Sequence, residues 1–245
     1  MAFNVKINHA IWAIVPAAGI GKRMQSDIPK QYLLLNGRPV LEHTINALLQ
    51  NQHISGLVIA LQPEDANWPA IKLASKKTVL RTSGGKERAD SVLNALNALC
   101  QYDRFDESDW VMVHDAVRPC LRQQDIDKLV TDVSDDNGGL LALPVRDTMK
   151  RQHAGKAVAT VAQTVERDNL WHALTPQYFP ALSLKNALEK AQSRKLVITD
   201  ESSAMELAGF SPMLVHGCED NIKITRPDDL ALASLYLRFQ IDNKL

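Results

Sequence analysis

Short apolar runs alternate with stretches of helical period along this chain. Ile11–Val15, Leu57–Leu61, Thr78–Arg81, Trp110–His114, Leu140–Val145, Met213–His216 and Ile222–Thr225 are runs of strand length. Between them apolar positions recur every three or four residues. Val40, Leu41, Ile45, Leu48 and Leu49 make one stripe, and Val92, Leu93, Leu96 and Leu99 a second. Ile126, Leu129, Val130 and Val133 make a third, and Ala187, Leu188 and Ala191 a fourth. A last helix is predicted from Pro227, whose fixed φ suits a first turn, and Asp228 and Asp229 complement its positive end. Strands alternating with helices predict an α/β fold, with a mostly parallel sheet covered on both faces. Nothing resembling a linker or repeat divides it, so one domain over 1–245 is expected.

Residues 146–170 break this rhythm. They are polar, carry β-branched Val158, Thr160, Val161, Thr164 and Val165, and pivot on Gly155-Lys156. The pattern predicts a hairpin projecting from the sheet, or else a solvated loop excursion. A two-stranded arm alone is marginal in water, and a second copy of the chain is the simplest surface to cover it.

Composition narrows the function classes. The chain has 245 residues, 45% of them hydrophobic, which suffices for a substantial core. Lys plus Arg equals Asp plus Glu at 28 each, and no basic run appears. That argues against a nucleic-acid surface and leaves its cations concentrated near loops. Cys100, Cys120 and Cys218 stand apart, without the paired spacing of a zinc site or a disulfide framework, as suits a reducing compartment. The first ten residues lack an apolar signal core, and no apolar run approaches the ~20 residues of a membrane span. A cytoplasmic protein with neither membrane nor nucleic-acid partner is expected.

The candidate chemistry begins where the first strand ends. Ile14-Val15 runs into Pro16-Ala17-Ala18-Gly19-Ile20-Gly21-Lys22-Arg23-Met24, with Lys30 following. Small side chains let backbone N–H groups approach a ligand, and crowded cations call for an anion, which together suit a polyphosphate. The loop lacks the third glycine of a dinucleotide fingerprint, and Arg23 stands where a Walker A loop needs Ser or Thr. By itself the pattern also fits an ordinary strand-to-helix turn. Two further clusters lie at carboxyl ends of predicted strands, where ligands of open α/β sheets bind. Ser83-Gly84-Gly85-Lys86-Glu87-Arg88-Ala89-Asp90-Ser91 opens a helix with two glycines, and Glu87 and Arg88 there also read as helix-surface residues. His114-Asp115-Ala116-Val117-Arg118-Pro119 places an Asp after a buried strand. Such an Asp either holds a hard divalent cation against phosphate or caps the next helix. His114 reads as a packed histidine without a role.

Together these segments resemble the 2-C-methyl-D-erythritol 4-phosphate cytidylyltransferase family. The likeness runs from Pro16 to Met24 and Lys30-Gln31-Tyr32, through Gly84-Gly85 to Ser91, to His114–Pro119. It continues through Pro144-Val145-Arg146-Asp147-Thr148 with Lys150, Arg167–Gln177, Thr199-Asp200-Glu201 and Asp220–Pro227. The resemblance implies a Rossmann-like nucleotidyltransferase domain whose 146–170 arm hooks a second subunit in a homodimer. It implies a reaction joining CTP to the phosphate of a methylerythritol phosphate with release of pyrophosphate, assisted by Mg²⁺ or another divalent cation.

By the same resemblance Arg23 and Lys30 are the catalytic cations. Pro16, Ala17, Ala18, Gly19, Gly21, Lys22, Gly85, Ser91 and Ala116 bind the nucleotide. Asp115, Arg118, Thr148, Arg167, Thr175 and Lys223 bind the acceptor, with Thr148 and Arg167 acting in the neighbour's site. Asp115, and Asp220 as a second candidate, lie near the metal. Lys86 departs from the family pattern, where an acidic residue is common, and so weakens any side-chain contact to the base there. Val117, Glu166 and Lys22 depart more mildly. A cytidylyltransferase for another polyol phosphate, such as ribitol 5-phosphate, is the nearest rival reading. A non-catalytic nucleotide-binding protein and a dehydrogenase are more distant ones.

Overall fold

The computed structural model describes residues 9–19, 28–155 and 157–243. Strands β1 (Ile11–Pro16), β4 (Ile54–Leu61), β5 (Thr78–Ser83), β6 (Trp110–Val113), β7 (Gly139–Pro144), β10 (Trp171–Pro180) and β11 (Met213–His216) form one seven-stranded sheet. Their order is β11-β7-β10-β6-β1-β4-β5. All neighbours pair in parallel except β10, which runs antiparallel to both β6 and β7.

Side chains alternate across this sheet as the strand period requires. Ile11, Ala13 and Val15 of β1 enter one core, with Leu41, Ile45, Leu48 and Leu49 of α1 (Val40–Gln50) and Ile126, Leu129 and Val130 of α3 (Gln123–Asp132). Trp12 and Ile14 enter the other, with Val92, Leu96 and Leu99 of α2 (Arg88–Cys100), Leu184 and Leu188 of α4 (Ala181–Ser193) and Met205 of α5 (Glu201–Ala208). A third cluster seats Ala233 of α6 (Pro227–Asn243) against Leu35, Val40, Val117 and Ile224. The stripes in the sequence are therefore the buried faces of the helices, and the mixed α/β class is as expected.

Three departures are instructive. Ile222–Thr225 is not a strand: Ile224 is buried in the third cluster and its N–H donates to Val117 O at 2.9 Å, but no ladder forms. Instead, residues 218–226 run as an irregular strap across the ends of the central strands. β10 escapes the strand pattern because it contains Pro176 and Pro180. The structure accommodates Pro176 where the β7–β10 register shifts, between Ala173 and Gln177, with the Thr175–Pro176 peptide cis. Helix α5, short and unread in the sequence, starts at an Asp200/Ser203 capping box and stops at Gly209, at φ +100°.

The 146–170 segment does form a hairpin. β8 (Met149–Gln152) and β9 (Val161–Val165) pair antiparallel as a separate two-stranded sheet, and Met149, Val158 and Val161 stand exposed. Lys156 at its turn lies outside the described residues. A smaller hairpin, β2 (Leu34–Leu35) and β3 (Arg38–Pro39), turns at Asn36-Gly37, both at positive φ.

Gly138 enters β7 at φ +69°, and a Cβ there would lie 2.2 Å from Phe179 Cδ1 and 2.5 Å from Tyr178 O. Gly138→Ala should therefore cost about 2 kcal/mol or more and lower the thermal midpoint by roughly 4–8 °C. An unchanged melting curve would contradict this account of the strand entry.

Candidate active site

A cavity of about 470 Å³ opens at the carboxyl ends of β1, β4 and β6. Of the residues singled out in the sequence, Pro16, Ala17, Ala18, Gly19, Lys30, Gly85, Ser91, Asp115, Ala116 and Lys223 all line it. Gly21, Lys22 and Arg23 lie outside the described residues. The cleft thus gathers chain segments more than two hundred positions apart.

Two side chains that the sequence reading left without a role shape the first loop. Gln31 Nε2 donates to Ala17 O at 2.7 Å and to Gly19 O at 3.1 Å, and the Gln62 amide donates to Ala18 O. The loop carbonyls are thereby tied to the protein. Opposite, the 84–91 loop comes so close that a Cβ on Gly84 would lie 2.1 Å from Ala18 Cβ. Gly85 N donates to Ser91 Oγ at 3.0 Å, and that hydroxyl donates to Glu87 O at 3.2 Å. Ser91 therefore fixes the curvature of a wall it also lines. Helix α2 then starts at a capping box formed by Glu87 and Asp90.

Asp115 is the electrostatic centre. Its Oδ1 accepts from Arg88 Nε at 3.1 Å, and its Oδ2 meets Lys223 Nζ at 2.9 Å and Arg118 Nε at 3.4 Å. Burial would raise its pKa, but Arg88, Lys223 and Arg118 together outweigh that and hold the carboxyl well below the usual range. Burial lowers the Arg118 pKa against the pull of Asp115, yet a guanidinium stays charged. Arg88 also grips Glu201, with Nη1 and Nη2 donating to Oε1 and Oε2 at 2.5 and 3.0 Å. Lys30 Nζ reaches Ile224 O at 3.5 Å, which brings the strap to the first loop.

Behind Asp115 lies a neutral layer. His114 is fully buried, and burial pushes its pKa down to about 4. Its Nε2 lies 3.0 Å from Arg118 O; a carbonyl only accepts, so the proton resides on Nε2. Nδ1 then accepts from Thr175 Oγ1 at 2.9 Å, and Thr175 Oγ1 accepts from Asp115 N–H at 3.1 Å. Asn221 Nδ2 donates to Thr175 O at 2.7 Å, and Arg118 Nη1 to Asn221 O at 2.6 Å.

Several residues expected at the site do not line this cleft. Thr175 and Arg118 are buried beneath the cavity wall and hold its loops together; neither lines the cleft. Asp220 does not line the cleft with Asp115. Its Oδ2 is bound by Arg122 Nη2 at 2.8 Å, Arg122 Nε at 2.9 Å and Gln240 Nε2 at 2.7 Å, and it lines a different cavity. Arg88 is no helix-surface residue. Thr148 and Arg167 are exposed at the arm, where the Arg167 guanidinium donates to Arg146 O, and this single chain does not bring them to the cleft.

With this geometry in view, likeness to known proteins is informative. Residues 11–239 match the family model described as IspD, 2-C-methyl-D-erythritol 4-phosphate cytidylyltransferase. The chain belongs to that family. The cytidylyltransferase of this name from Vibrio atlanticus is 53% identical over 229 residues, covering 93% of this chain and 95% of the relative. That of Shewanella loihica is 53% identical over 230 residues, covering 92% and 91%. The Francisella tularensis cytidylyltransferase crystal structure superposes with a TM-score of 0.77 at 36% identity, over 93% of this chain and 99% of that one. A crystal structure of 4-diphosphocytidyl-2C-methyl-D-erythritol synthase gives a TM-score of 0.81 at 33% identity, covering 94% and 100%. The protein is thus an enzyme of the nucleotidyltransferase class.

His114 carries a pH signature. Its folded pKa lies below the unfolded value of 6.5, so its contribution to stability is present above pH 6.5 and is lost as pH falls toward 4. The gap corresponds to about 3 kcal/mol. Unfolding midpoints should fall more steeply between pH 6.5 and 4 in the wild type than in His114→Gln. Parallel pH profiles would show that a neutral His114 is not what holds this layer.

Proposed function

We propose that this protein transfers the cytidylyl group of CTP to 2-C-methyl-D-erythritol 4-phosphate in non-mevalonate isoprenoid precursor biosynthesis. An oxygen of the acceptor phosphate attacks the α-phosphorus, the bond to the β-phosphate oxygen breaks, and pyrophosphate leaves. The observation that carries this reading is the convergence of the 16–19 loop, the 84–91 loop, Asp115 and Lys223 on one cavity in a chain of this family.

Such a transfer needs no enzyme nucleophile. Positioning and charge stabilisation supply the catalysis. The backbone of the two loops cradles the nucleotide, and the snug approach of Gly84 to Ala18 sets the width of the slot. Lys30, with Arg23, stabilises charge on the α-phosphate and the departing pyrophosphate. Lys223 faces the acceptor phosphate, and Arg118 and Thr175 serve by holding Asp115 and the strap in place. Among the described residues no three His, Cys, Asp or Glu side chains gather as a metal cage. A single carboxylate does fit Mg²⁺ when substrate phosphates provide further oxygens. Asp115 is the residue that would face a divalent cation arriving with the triphosphate, and the cation would neutralise phosphate charge there.

The arm, with its exposed Met149, Val158 and Val161, is proposed to bind a second copy. Thr148 and Arg167 would then serve the neighbour's acceptor site. Among the described residues no helix is long and apolar enough to cross a membrane. The three cysteines are free, which is consistent with a cytoplasmic location.

Offered CTP, Mg²⁺ and either methylerythritol phosphate or ribitol 5-phosphate, the enzyme should release pyrophosphate with the former. Preference for ribitol 5-phosphate would replace the acceptor, and release with neither would overturn the reading. Lys30→Met should depress kcat about a hundredfold or more while changing the KM for CTP little. A raised KM at unchanged kcat would remove Lys30 from the transition state. Arg167→Ala should raise the KM for the acceptor, and mixing it with Lys30→Met should regenerate activity through hybrid dimers. No recovery on mixing would argue for sites built within one subunit.

A further inference from the structure

The residues so far assigned to the cleft leave one strong charge cluster unexplained. Arg88 is the first residue of α2, where a cation opposes the positive end of the helix dipole. The helix start is already capped by Glu87 and Asp90, so Arg88 is not needed there. Its guanidinium instead reaches away from its own helix. One nitrogen contacts Asp115 at the end of β6, and the other two form a fork on Glu201, at the start of α5. Glu201 is 1% exposed and does not line the cleft.

This fork has a geometric consequence. With Nη1 and Nη2 committed to Glu201, only Nε remains turned toward Asp115, and it takes Oδ1. The other carboxylate oxygen is left to Lys223 and Arg118. Of the three cations, Lys223 is the most accessible, with its side chain 37% exposed against 28% for Arg88 and 10% for Arg118. Lys223 is also the one on a long single-point ammonium, which can pivot without breaking a fork. A buried carboxylate left by its partner would be costly. Asp115 can release Lys223 only if something else still neutralises it, and Arg118 contacts it at 3.4 Å, the longest of the three.

We infer that Arg88, clamped by Glu201, is a positioning residue for the transfer reaction: it keeps Asp115 compensated and oriented so that Lys223 can exchange from that carboxylate to an anionic phosphate of the acceptor. Arg88 and Glu201 then act as a unit through Asp115, with α2 and α5 braced against each other at the mouth of the cleft. The inference rests on the functional reading above for the identity of the acceptor, but not for the existence of the exchange.

The test compares Arg88→Lys, Glu201→Gln and the double variant with the wild type. A lysine at 88 cannot reproduce the fork on Glu201 while contacting Asp115, so kcat/KM for the acceptor should fall on the order of tenfold to a hundredfold. CTP affinity, measured by calorimetry without acceptor, should stay within about threefold. Glu201→Gln should show the same split, and the double variant should be no worse than Arg88→Lys within about twofold. Guanidinium ion added to Arg88→Ala should restore part of the acceptor activity. Losses of CTP affinity in step with acceptor kcat/KM, additive losses in the double variant, or an unaffected Arg88→Lys would each overturn the inference. If Arg88→Lys does not fold, Glu201→Gln, which keeps the shape but replaces one acceptor of the fork with a donor, decides the question by the same split. A wild type inactive with methylerythritol phosphate would refute the proposed acceptor alone; the ratios are then read on whichever polyol phosphate it does use.

Discussion

A carboxylate taken out of water must be compensated, and the arrangement of this molecule around its cleft follows from that constraint at Asp115. Two of the three compensating cations come from distant parts of the chain, and only Arg118 is a near neighbour in sequence. Arg88 comes from the start of α2, Arg118 from the loop after β6 and Lys223 from the strap that crosses the strand ends. Glu201 adds α5 by balancing Arg88. Five charges from four segments of the chain are thereby linked in one network of ion pairs. Separating these segments would strip buried carboxylates of their cations, so a cluster of opposite charges fastens otherwise irregular loops.

Beneath that layer a second, uncharged one fixes the backbone. His114, Thr175 and Asn221 pass hydrogen bonds from the Arg118 carbonyl to the Asp115 N–H and on to the strap. The order of donors works only for a neutral imidazole, and full burial keeps it neutral. The division of labour follows: fixed dipoles hold the loops, small residues leave the cleft open, and the ammonium groups of Lys30 and Lys223 line it. Asp220 belongs to neither layer. Bound by Arg122 and Gln240, it ties the strap to α3's leading loop and to α6.

Much of the fold was legible along the chain. The stripes of α1, α2 and α3 and the runs of β1, β4, β6 and β11 are strong because burial imposes a period on both faces of the sheet. β10 was hidden by Pro176 and Pro180, residues that argue against a central strand unless the ladder shifts register, as it does here. Ile222–Thr225 misled in the opposite sense, since a run of apolar and polar residues also suits a strap that buries only Ile224 deeply. Of the cleft lining, Pro16, Ala17, Ala18, Gly19, Lys30, Asp115 and Lys223 were singled out by motif. Arg88 and Gln62 were passed over: a charged residue at a helix start and a glutamine after a strand look ordinary until their partners are known. Arg118 and Thr175 were named as acceptor contacts and are buried off the cleft lining, a placement that side-chain type does not reveal.

The linear order of residues settled most of the elements, the alternation that makes an open α/β sheet, and the small-residue loop with its nearby cation. Those are local properties, written in periods of two and 3.6 and in which side chains are missing. Only the tertiary structure decided which charges pair. Coulombic partnership depends on distance in space, and Arg88, Asp115, Glu201 and Lys223 are separated along the chain by the very strands and helices that bring them together.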